Sequence, residues 1–331
     1  MTAPALAAVG LGESLLRLSA PGQERLGQAA RFDVHVGGAE MNVLITLSAF
    51  GFHARWVTRM ADNPLGRAIV RHAVEHGVEP LADWDSQARV PLYFVEHGAL
   101  PRPSEVVYDR SDTAMTRLTP SSFSWQGAVE GSQVALSSGI TCALGTEPSR
   151  AVTSFFDAAR ESDAMTVFDI NYRARLWSWD QAIPVLRDVL PFVDVLSASR
   201  HDLLRLVEGA SDHQGTTELA RQAIRLWGHR VVLLRETVHT APGLASVRAT
   251  AVTPDRVLTS PEHAAQVVDP FGAGDASLGA FLASWLTGGE LAEAVNVSAW
   301  AGAFHQTVIG DTWQGRPSDV ISSVEARRVL R

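Results

Sequence analysis

Strand-like and helix-like segments alternate through the middle of this 331-residue chain. Short runs of aliphatic and β-branched residues lie at 133–136, 165–170, 193–196 and 230–234. Segments with a helical apolar period lie between and after them, at 148–161, 179–190, 216–227 and 275–286. A parallel strand pair needs a crossover connection, which a helix supplies. The sequence therefore predicts an α/β fold, with a doubly wound, mainly parallel sheet flanked by helices.

Individual helix boundaries follow from the residues at their ends. In the segment 216–227, Thr216 is the expected N-cap and Gly228 the expected stop. Leu219, Ala223, Ile224 and Trp227 form the apolar stripe that should face the core.

Two regions, 15–35 and 89–117, break the alternation. They contain strand-like runs, such as 92–96 and 105–108, that are joined by Pro- and Gly-containing turns without a helix between them. We expect both regions to form a small antiparallel β-sheet that covers the site as a lid. No repeat or linker divides the chain, so the whole range 1–331 is expected to be one domain.

Charge and cysteine content limit the possible functions. The formal net charge is −8, which disfavours a nucleic-acid surface, so an anionic ligand would need arginines placed locally. Cys142 is the only cysteine, which excludes an intrachain disulfide and suits a reducing, cytoplasmic compartment. No apolar run approaches the roughly 20 residues that a membrane-spanning helix needs.

The strongest chemical signal is DPFGAGDASLGAF, from Asp269 to Phe281. Gly272 and Gly274 allow a tight turn that opens directly into a helix. The free N–H groups and the positive dipole end of such a helix favour a phosphate. Taken alone, the pattern could equally be an ordinary strand-to-helix turn with an aspartate in the first helical turn.

A second glycine turn, GGAEMNVLITLSAFG from Gly37 to Gly51, also leads into a helix. Asn42 falls in its first turn, where the amide could contact a ligand or merely cap the helix. The two motifs lie about 230 positions apart. In a doubly wound sheet such turns can converge at the carboxyl ends of the strands, where ligands bind.

Together, GGAEMN and DPFGAGD resemble the paired signatures of the PfkB family of carbohydrate kinases, which have the ribokinase-like fold. The resemblance implies that Asp275 is the catalytic base and that the amides of Gly272, Ala273 and Gly274 form an anion hole. It also implies ATP and Mg²⁺ as cofactors, and a monovalent cation such as K⁺ near Asp269.

Three further segments resemble 2-keto-3-deoxygluconate kinases within this family. They are GES (12–14), PLYFVEHGALPRPSEVVYDR (91–110) and FDINYRARLW (168–177). The substrate contacts that the resemblance implies are Glu13, Gly37, Gly38, Asn42, Tyr93, Tyr108, Arg110 and Arg173. An independent reason supports the arginines, because a keto acid carries a carboxylate that a guanidinium binds in a bidentate manner. Surface salt bridges are the alternative role for both arginines.

The resemblance assigns nucleotide contacts to Asn171, Ser199, Arg235, Gly272 and Gly274. Two segments depart from the family pattern here. SASRHD (197–202) replaces an N-x-x-E motif and leaves only Asp202 as a candidate magnesium ligand. LLRETVHTAPG (233–243) stands where many relatives have a Lys-x-Gly strand.

The function expected from these features is transfer of the ATP γ-phosphoryl group to the terminal hydroxyl of 2-keto-3-deoxygluconate. The open edges and apolar faces of the lid lead us to expect a homodimer formed through it. Two alternatives are a kinase of another sugar, such as fructose, ribose or a related keto-deoxy sugar, and a non-catalytic sugar-binding relative.

Overall fold

The structure is a computed structural model that describes residues 6–320; residues 1–5 and 321–331, the two ends of the expected 1–331 domain, lie outside the described residues. The strands in this part of the chain are β1 (Ala7–Leu11), β2 (Leu15–Ser19), β3 (Asp33–Gly37), β4 (His53–Ala61), β5 (Val78–Asp85), β6 (Leu92–Glu96), β7 (Glu105–Asp109), β8 (Val134–Ser138), β9 (Met165–Asp169), β10 (Val195–Ala198), β11 (Val231–Ala241), β12 (Leu244–Val252), β13 (Val257–Thr259) and β14 (His263–Gln266). The α-helices are α1 (Ala39–Ala49), α2 (Pro64–Glu75), α3 (Trp125–Val129), α4 (Gly139–Cys142), α5 (Thr146–Glu161), α6 (Trp179–Val189), α7 (Arg200–Leu206), α8 (Thr216–Trp227), α9 (Ala273–Leu286) and α10 (Leu291–His305).

The large sheet has the strand order β13-β12-β11-β10-β9-β8-β1-β4-β5, and β14 also pairs with β12. The strands from β11 to β5 are parallel to their neighbours, whereas β12 to β14 form antiparallel pairs at one end. The strand order reverses at β1, which lies between β8 and β4. Such a reversal opens a crevice at the carboxyl ends of the strands. The predicted α/β fold is confirmed.

Helices cover both faces of this sheet and bury two apolar layers. One layer contains Phe155 and Phe156 of α5 against Phe168 of β9. The other contains Met41 of α1 and Phe281 of α9 against Trp56 of β4. Since both faces are covered, the central strands are apolar on both sides, as parallel strands generally are.

Helix α8 shows which boundary signals were reliable. Leu219, Ala223 and Ile224 of its apolar stripe are buried, and Trp227 is half-buried against the same core. The helix ends at Gly228, which has a left-handed backbone (φ 80°). The expected Thr216 cap was wrong, because Thr216 is the first helical residue and Gly215 precedes it without a side-chain cap.

The small sheet comprises the strands β3-β2-β6-β7 in that order. Two of its three pairings, β2–β3 and β6–β7, are antiparallel, and the central β2–β6 pairing is parallel. Its strands arise from the two regions identified in the sequence, with β3 reaching Gly37. Leu15, Tyr93 and Val95 on one face pack with Phe271, at the start of the Gly272–Gly274 turn. No helix within residues 6–320 has the length and apolar character required to cross a bilayer.

Candidate active site

The two glycine motifs, far apart in sequence, meet in the structure. Asn42 in the first turn of α1 donates a hydrogen bond from Nδ2 to Oδ2 of Asp275 in the first turn of α9, at 2.8 Å. The two helices can approach closely because α9 carries Gly279, where a Cβ atom would lie 2.6 Å from the Cβ of Thr46. The predicted convergence of the two turns is therefore confirmed.

The turn before α9 depends on Gly272. This residue has a left-handed backbone (φ 78°), and a Cβ atom here would lie 2.0 Å from the backbone oxygen of Asp311. No side chain caps the helix. The first N–H groups of α9, at Ala273 and Gly274, have no intrahelical acceptor. They can therefore receive an anion, as the anion-hole prediction requires.

Asp275 has the properties of a base that works near neutral pH. Burial raises its pKa to about 7, against the opposing effect of the Asn42 hydrogen bond. The nearby Asp169 carboxylate raises the pKa further, whereas the Arg235 and Arg173 cations lower it. A carboxylate with such a pKa can accept a proton from a bound hydroxyl group.

A cleft of about 600 Å³ lies beside Asp275. The predicted residues that line it are Glu13, Gly37, Gly38, Asn42, Tyr93, Tyr108, Arg110, Asn171, Arg173, Gly272 and Asp275. They include all eight predicted substrate contacts. The structure brings these positions together, and their roles toward a substrate stay predictions.

Two arginines of the cleft differ in their partners. Arg110 donates to Oε2 of the buried Glu13 carboxylate, whose Oε1 accepts from Thr113 Oγ1 at 2.6 Å. Arg173 is exposed and forms no ion pair with an acid in the described part of the chain. Arg173 is therefore the freer cation, and Arg110 is held in place by Glu13.

The predicted nucleotide residue Arg235 is bound to the Gly272–Gly274 turn. Its Nη1 donates to the backbone oxygen of Gly274, and its Nη2 donates to Oδ2 of Asp169 at 2.7 Å. Ser197 Oγ donates to the other oxygen of Asp169 at 3.0 Å. The altered segment 233–243 thus forms most of strand β11 and the turn that follows the strand. Through the hydrogen bonds of Arg235, it also holds the Gly272–Gly274 turn in place.

Ser199 and Asp202 form a capping box at the start of α7. The Ser199 backbone N–H donates to Asp202 Oδ2 at 2.8 Å, and the Asp202 N–H donates to Ser199 Oγ at 3.2 Å. This geometry gives both side chains a structural role. Within residues 6–320, no cluster of three or more acids, histidines or cysteines could hold a metal ion. Magnesium binding by Asp202 stays a prediction.

The environment of Asp269 does not fit a monovalent cation. The carboxylate is buried, and its Oδ1 and Oδ2 accept from Nη1 and Nη2 of Arg17. The backbone N–H groups of Phe271 and Gly310 also donate to it, at 3.3 and 3.0 Å. Both oxygens are therefore occupied by donors that belong to the protein.

Five cleft residues were not predicted from the sequence, namely Leu15, Ala39, Ile140, Phe271 and Asp311. The Tyr93 hydroxyl donates to Asp311 Oδ1, and Arg17 Nη1 lies 2.9 Å from Asp311 Oδ2. Burial raises the pKa of Asp311 to about 6, and Arg17 opposes that shift. Apart from a preceding glycine, the sequence around Asp311 gave no signal for this position.

Comparisons with known proteins agree with this geometry. The family model "pfkB family carbohydrate kinase" matches residues 7–312. A 2-dehydro-3-deoxygalactonokinase from Haloferax volcanii is 34% identical over 98% of this chain and 96% of its own length. The crystal structure of a 2-dehydro-3-deoxygluconokinase from Thermotoga maritima has a TM-score of 0.91 and 29% identity, covering 96% of this chain and 98% of that one.

An E. coli protein described as a ribokinase II, crystallised with ATP and Mg²⁺, has a TM-score of 0.84 over 97% of this chain and 99% of that one. At 16% identity it supports the ribokinase-like fold alone. The family match covers nearly the whole chain and includes both glycine turns and Asp275. The chain therefore belongs to the PfkB family of carbohydrate kinases.

Proposed function

We propose that this kinase transfers the γ-phosphoryl group of ATP to the terminal hydroxyl of 2-keto-3-deoxygluconate, the sugar acid also called 2-dehydro-3-deoxygluconate. One observation carries the proposal. A single cleft combines Asp275, beside the free N–H groups of α9, with the arginines Arg110 and Arg173. A hydroxyl to be phosphorylated and a carboxylate to be recognised fit this combination.

Asp275 serves as the general base in this reaction. Its near-neutral pKa lets it hold a proton taken from the substrate hydroxyl while remaining ionised in a useful fraction of molecules. Asn42 holds one carboxylate oxygen, which leaves the other oxygen to face the hydroxyl. The amides of Gly272, Ala273 and Gly274 stabilise the migrating phosphoryl group, since phosphoryl transfer depends mostly on positioning and charge neutralisation.

The carboxylate of the sugar acid is recognised by Arg173 together with Arg110. Arg173 has no acidic partner among the described residues and is available for a charge-assisted hydrogen bond. Glu13 fixes the guanidinium of Arg110 and offsets part of its charge. An acidic sugar can form this charge-assisted hydrogen bond and a neutral sugar cannot, so the cleft favours an acid.

Asn171, Ser199 and Arg235 would lie along the nucleotide, with Arg235 already bound to the Gly274 carbonyl. Magnesium fits as a companion of the nucleotide, because Mg²⁺ in kinase sites is held largely by substrate phosphates and water. When bound, it would neutralise charge on the β- and γ-phosphates. The family match supports this choice of phosphoryl donor.

The galactonate epimer is a second candidate substrate. The Haloferax volcanii relative, which is 34% identical, is named for 2-dehydro-3-deoxygalactonate. The two acids share the carboxylate, the keto group and the terminal hydroxyl and differ in configuration at one carbon. Asp275, Arg110 and Arg173 would contact groups that both acids carry. Both acids are therefore included in the same test.

The test is a phosphorylation screen with both keto-deoxy acids, fructose and ribose. ADP release gives kcat/KM for each sugar, and ³¹P–¹H NMR of the product identifies the phosphorylated hydroxyl. We expect at least about tenfold higher kcat/KM for an acid than for a neutral sugar, the size of one charge-assisted hydrogen bond. Asp275→Asn protein from the same purification is the control for contaminating kinases.

A preference for fructose or ribose would overturn the proposed substrate class. Phosphate on any hydroxyl other than the terminal one would overturn the proposed regiochemistry. A clear preference for the galactonate epimer would select the second candidate.

We further propose a homodimer that forms through the small sheet. β3 and β7 are the edges of that sheet, and Val34 and Val107 on them are 58% and 40% exposed. Edge strands with exposed apolar side chains favour pairing with another chain. Light scattering at micromolar concentration should give a dimer, which Val34→Glu disrupts. Val74→Glu, a matched change at a 55% exposed valine on α2, should leave it intact; a monomeric wild type would contradict the proposal.

A further inference from the structure

Arg17 is a fully buried cation in the small sheet. It lies in the middle of β2, its side chain is 0% exposed, and its guanidinium stacks 5.0 Å from the ring centre of Phe271. Burying a guanidinium costs several kcal/mol unless acids and hydrogen bonds compensate it. Here the compensation comes from Asp269 and Asp311, both outside the small sheet. Arg17 thus joins the small sheet to the turn that carries the catalytic base.

The contacts of Asp269 extend this connection to the backbone of the turn. Its carboxylate binds both terminal nitrogens of Arg17 and accepts from the N–H of Phe271, the residue before Gly272. It also accepts from the N–H of Gly310, next to Asp311. The Arg17–Asp269 pair therefore holds the backbone at Phe271, next to Gly272, and at Gly310, next to Asp311. These two segments meet at the contact between Gly272 and Asp311.

Asp311 closes the network on the cleft side. Its carboxylate contacts Arg17 and Tyr93, and its backbone oxygen lies against Gly272. The carbonyl oxygen of Phe271 is likewise occupied, by Nε2 of His305 at 2.9 Å. Both oxygens of Asp269, the carbonyl oxygen of Phe271 and Asp311 Oδ1 therefore have hydrogen-bond partners within the protein. Asp311 Oδ2 has no hydrogen-bond donor and lies 2.9 Å from Arg17 Nη1, whose positive charge it faces.

We propose that Arg17 is an internal cation that takes the place of a monovalent cation beside Asp269 and holds the Gly272–Gly274 turn in position. Arg17 is a positioning residue, because it acts through Asp269 and Asp311 and not on the reacting atoms. The inference rests on phosphoryl transfer at this turn and is independent of which sugar is phosphorylated.

A guanidinium differs from a diffusible ion in two ways. It is present at every salt concentration, so the turn should be ordered without added K⁺. It is also part of β2, so the position of the small sheet and the order of the anion hole become coupled. Without Arg17, two buried carboxylates would lack their cation, and a small ion could then enter beside Asp269.

The first experiment compares the wild-type enzyme in KCl, NaCl and tetramethylammonium chloride at equal ionic strength. We expect kcat to agree within about twofold, because general screening is the same in each salt. Amide hydrogen exchange at residues 271–275, measured without sugar, should also be the same. Activation of tenfold or more by K⁺, or slower exchange in K⁺ alone, would overturn the inference.

The second experiment removes the cation. Arg17→Met should lower kcat by about 10- to 100-fold through misplacement of the turn. It should also speed exchange at 271–275 and create a K⁺-dependent rise in melting temperature and activity. Arg102→Met is the matched control, because Arg102 pairs with Glu96 inside the small-sheet region and has no contact with Asp269.

Normal exchange at 271–275 in a folded Arg17→Met protein would overturn the inference. If Arg17→Met does not fold, the wild-type salt series decides independently. Arg17→Lys, which keeps the charge, should then show no activation by K⁺, and tenfold activation of Arg17→Lys by K⁺ would count against the inference. A wrong substrate assignment would leave the exchange and melting results unchanged. Failure of this inference and failure of the proposed function are therefore distinguishable.

Discussion

The sugar side and the nucleotide side of the site contrast in how the chain holds its polar groups. On the sugar side, all eight predicted residues line one cleft, and Arg173 is free of acidic partners in the described part of the chain. On the nucleotide side, Ser199, Asp202 and Arg235 are bound to the protein itself. Under the proposed function, the sugar side would recognise its ligand with side chains, above all Arg173, whereas the nucleotide side would offer mainly backbone N–H groups of α9.

The largest effect is expected where the two sides meet, at Asp275. Asp275→Asn should lower kcat by about 10² to 10⁴, the usual contribution of a general base. Asn42 can still donate to the new amide oxygen, so the fold should persist. Steady-state ADP release measures the loss, and turnover within tenfold of wild type would contradict the role of the base.

The same variant, which should lose activity, should gain stability. The folded-state pKa of about 7 lies above the ordinary value of 3.8, so ionisation of Asp275 destabilises the folded wild type as the pH rises between these values. Asp275→Asn should therefore melt at a higher temperature than wild type at pH 8, with the difference shrinking toward pH 4. An equal difference at both pH values would contradict the raised pKa.

Loss of Arg173 tests the sugar side by itself. Arg173→Ala should raise KM for the acidic sugar by about 10- to 100-fold, the value of one or two charge-assisted hydrogen bonds, and leave KM for ATP nearly unchanged. Arg175→Ala, at an exposed residue two positions further on, is the matched control. Since Arg173 also lowers the pKa of Asp275, the assays should be run at pH 8.5. A rise in KM for ATP alone would reverse the assignment of the two sides.

The pH profile of the wild type tests the electrostatics of the base. kcat/KM should fall by about tenfold from pH 8 to pH 6, because a group with a pKa of about 7 loses its basic form over that range. Asn42→Ala removes a hydrogen bond that lowers this pKa and should move the profile to higher pH. A profile that is flat down to pH 5 would show that Asp275 titrates at an ordinary value.

The smallest effect is expected at Asp202 on the nucleotide side. Asp202→Ala removes half of the capping box and should reduce the free energy of unfolding by about 0.5 to 2 kcal/mol. The Mg²⁺ concentration for half-maximal activity should stay the same, as it should in Glu208→Ala, a change at a nearby exposed acid. A tenfold increase in that concentration for Asp202→Ala alone would instead support the predicted magnesium role.

The sequence predicted features that depend on neighbouring residues. The alternation of strands and helices, the small sheet and the two glycine turns all follow from local periodicity and backbone freedom. The Thr216 cap failed because Gly and Thr are about equally favourable at the N-cap, and Gly215 occupies that position in the structure. The substrate positions came from resemblance to a family, and the structure brought them into one cleft.

Local sequence therefore determined that two glycine turns open into helices and that one of them presents Asp275. Only the tertiary structure decided what surrounds that carboxylate, because the surroundings come from distant segments. Arg17 and Asp269 are 252 positions apart, and Tyr93 and Asp311 are 218 apart. Contacts of this kind are set by how the strands order in two sheets, and no short pattern encodes them. The raised pKa of Asp275 and the pairing of Asp269 with Arg17 are consequences of that packing.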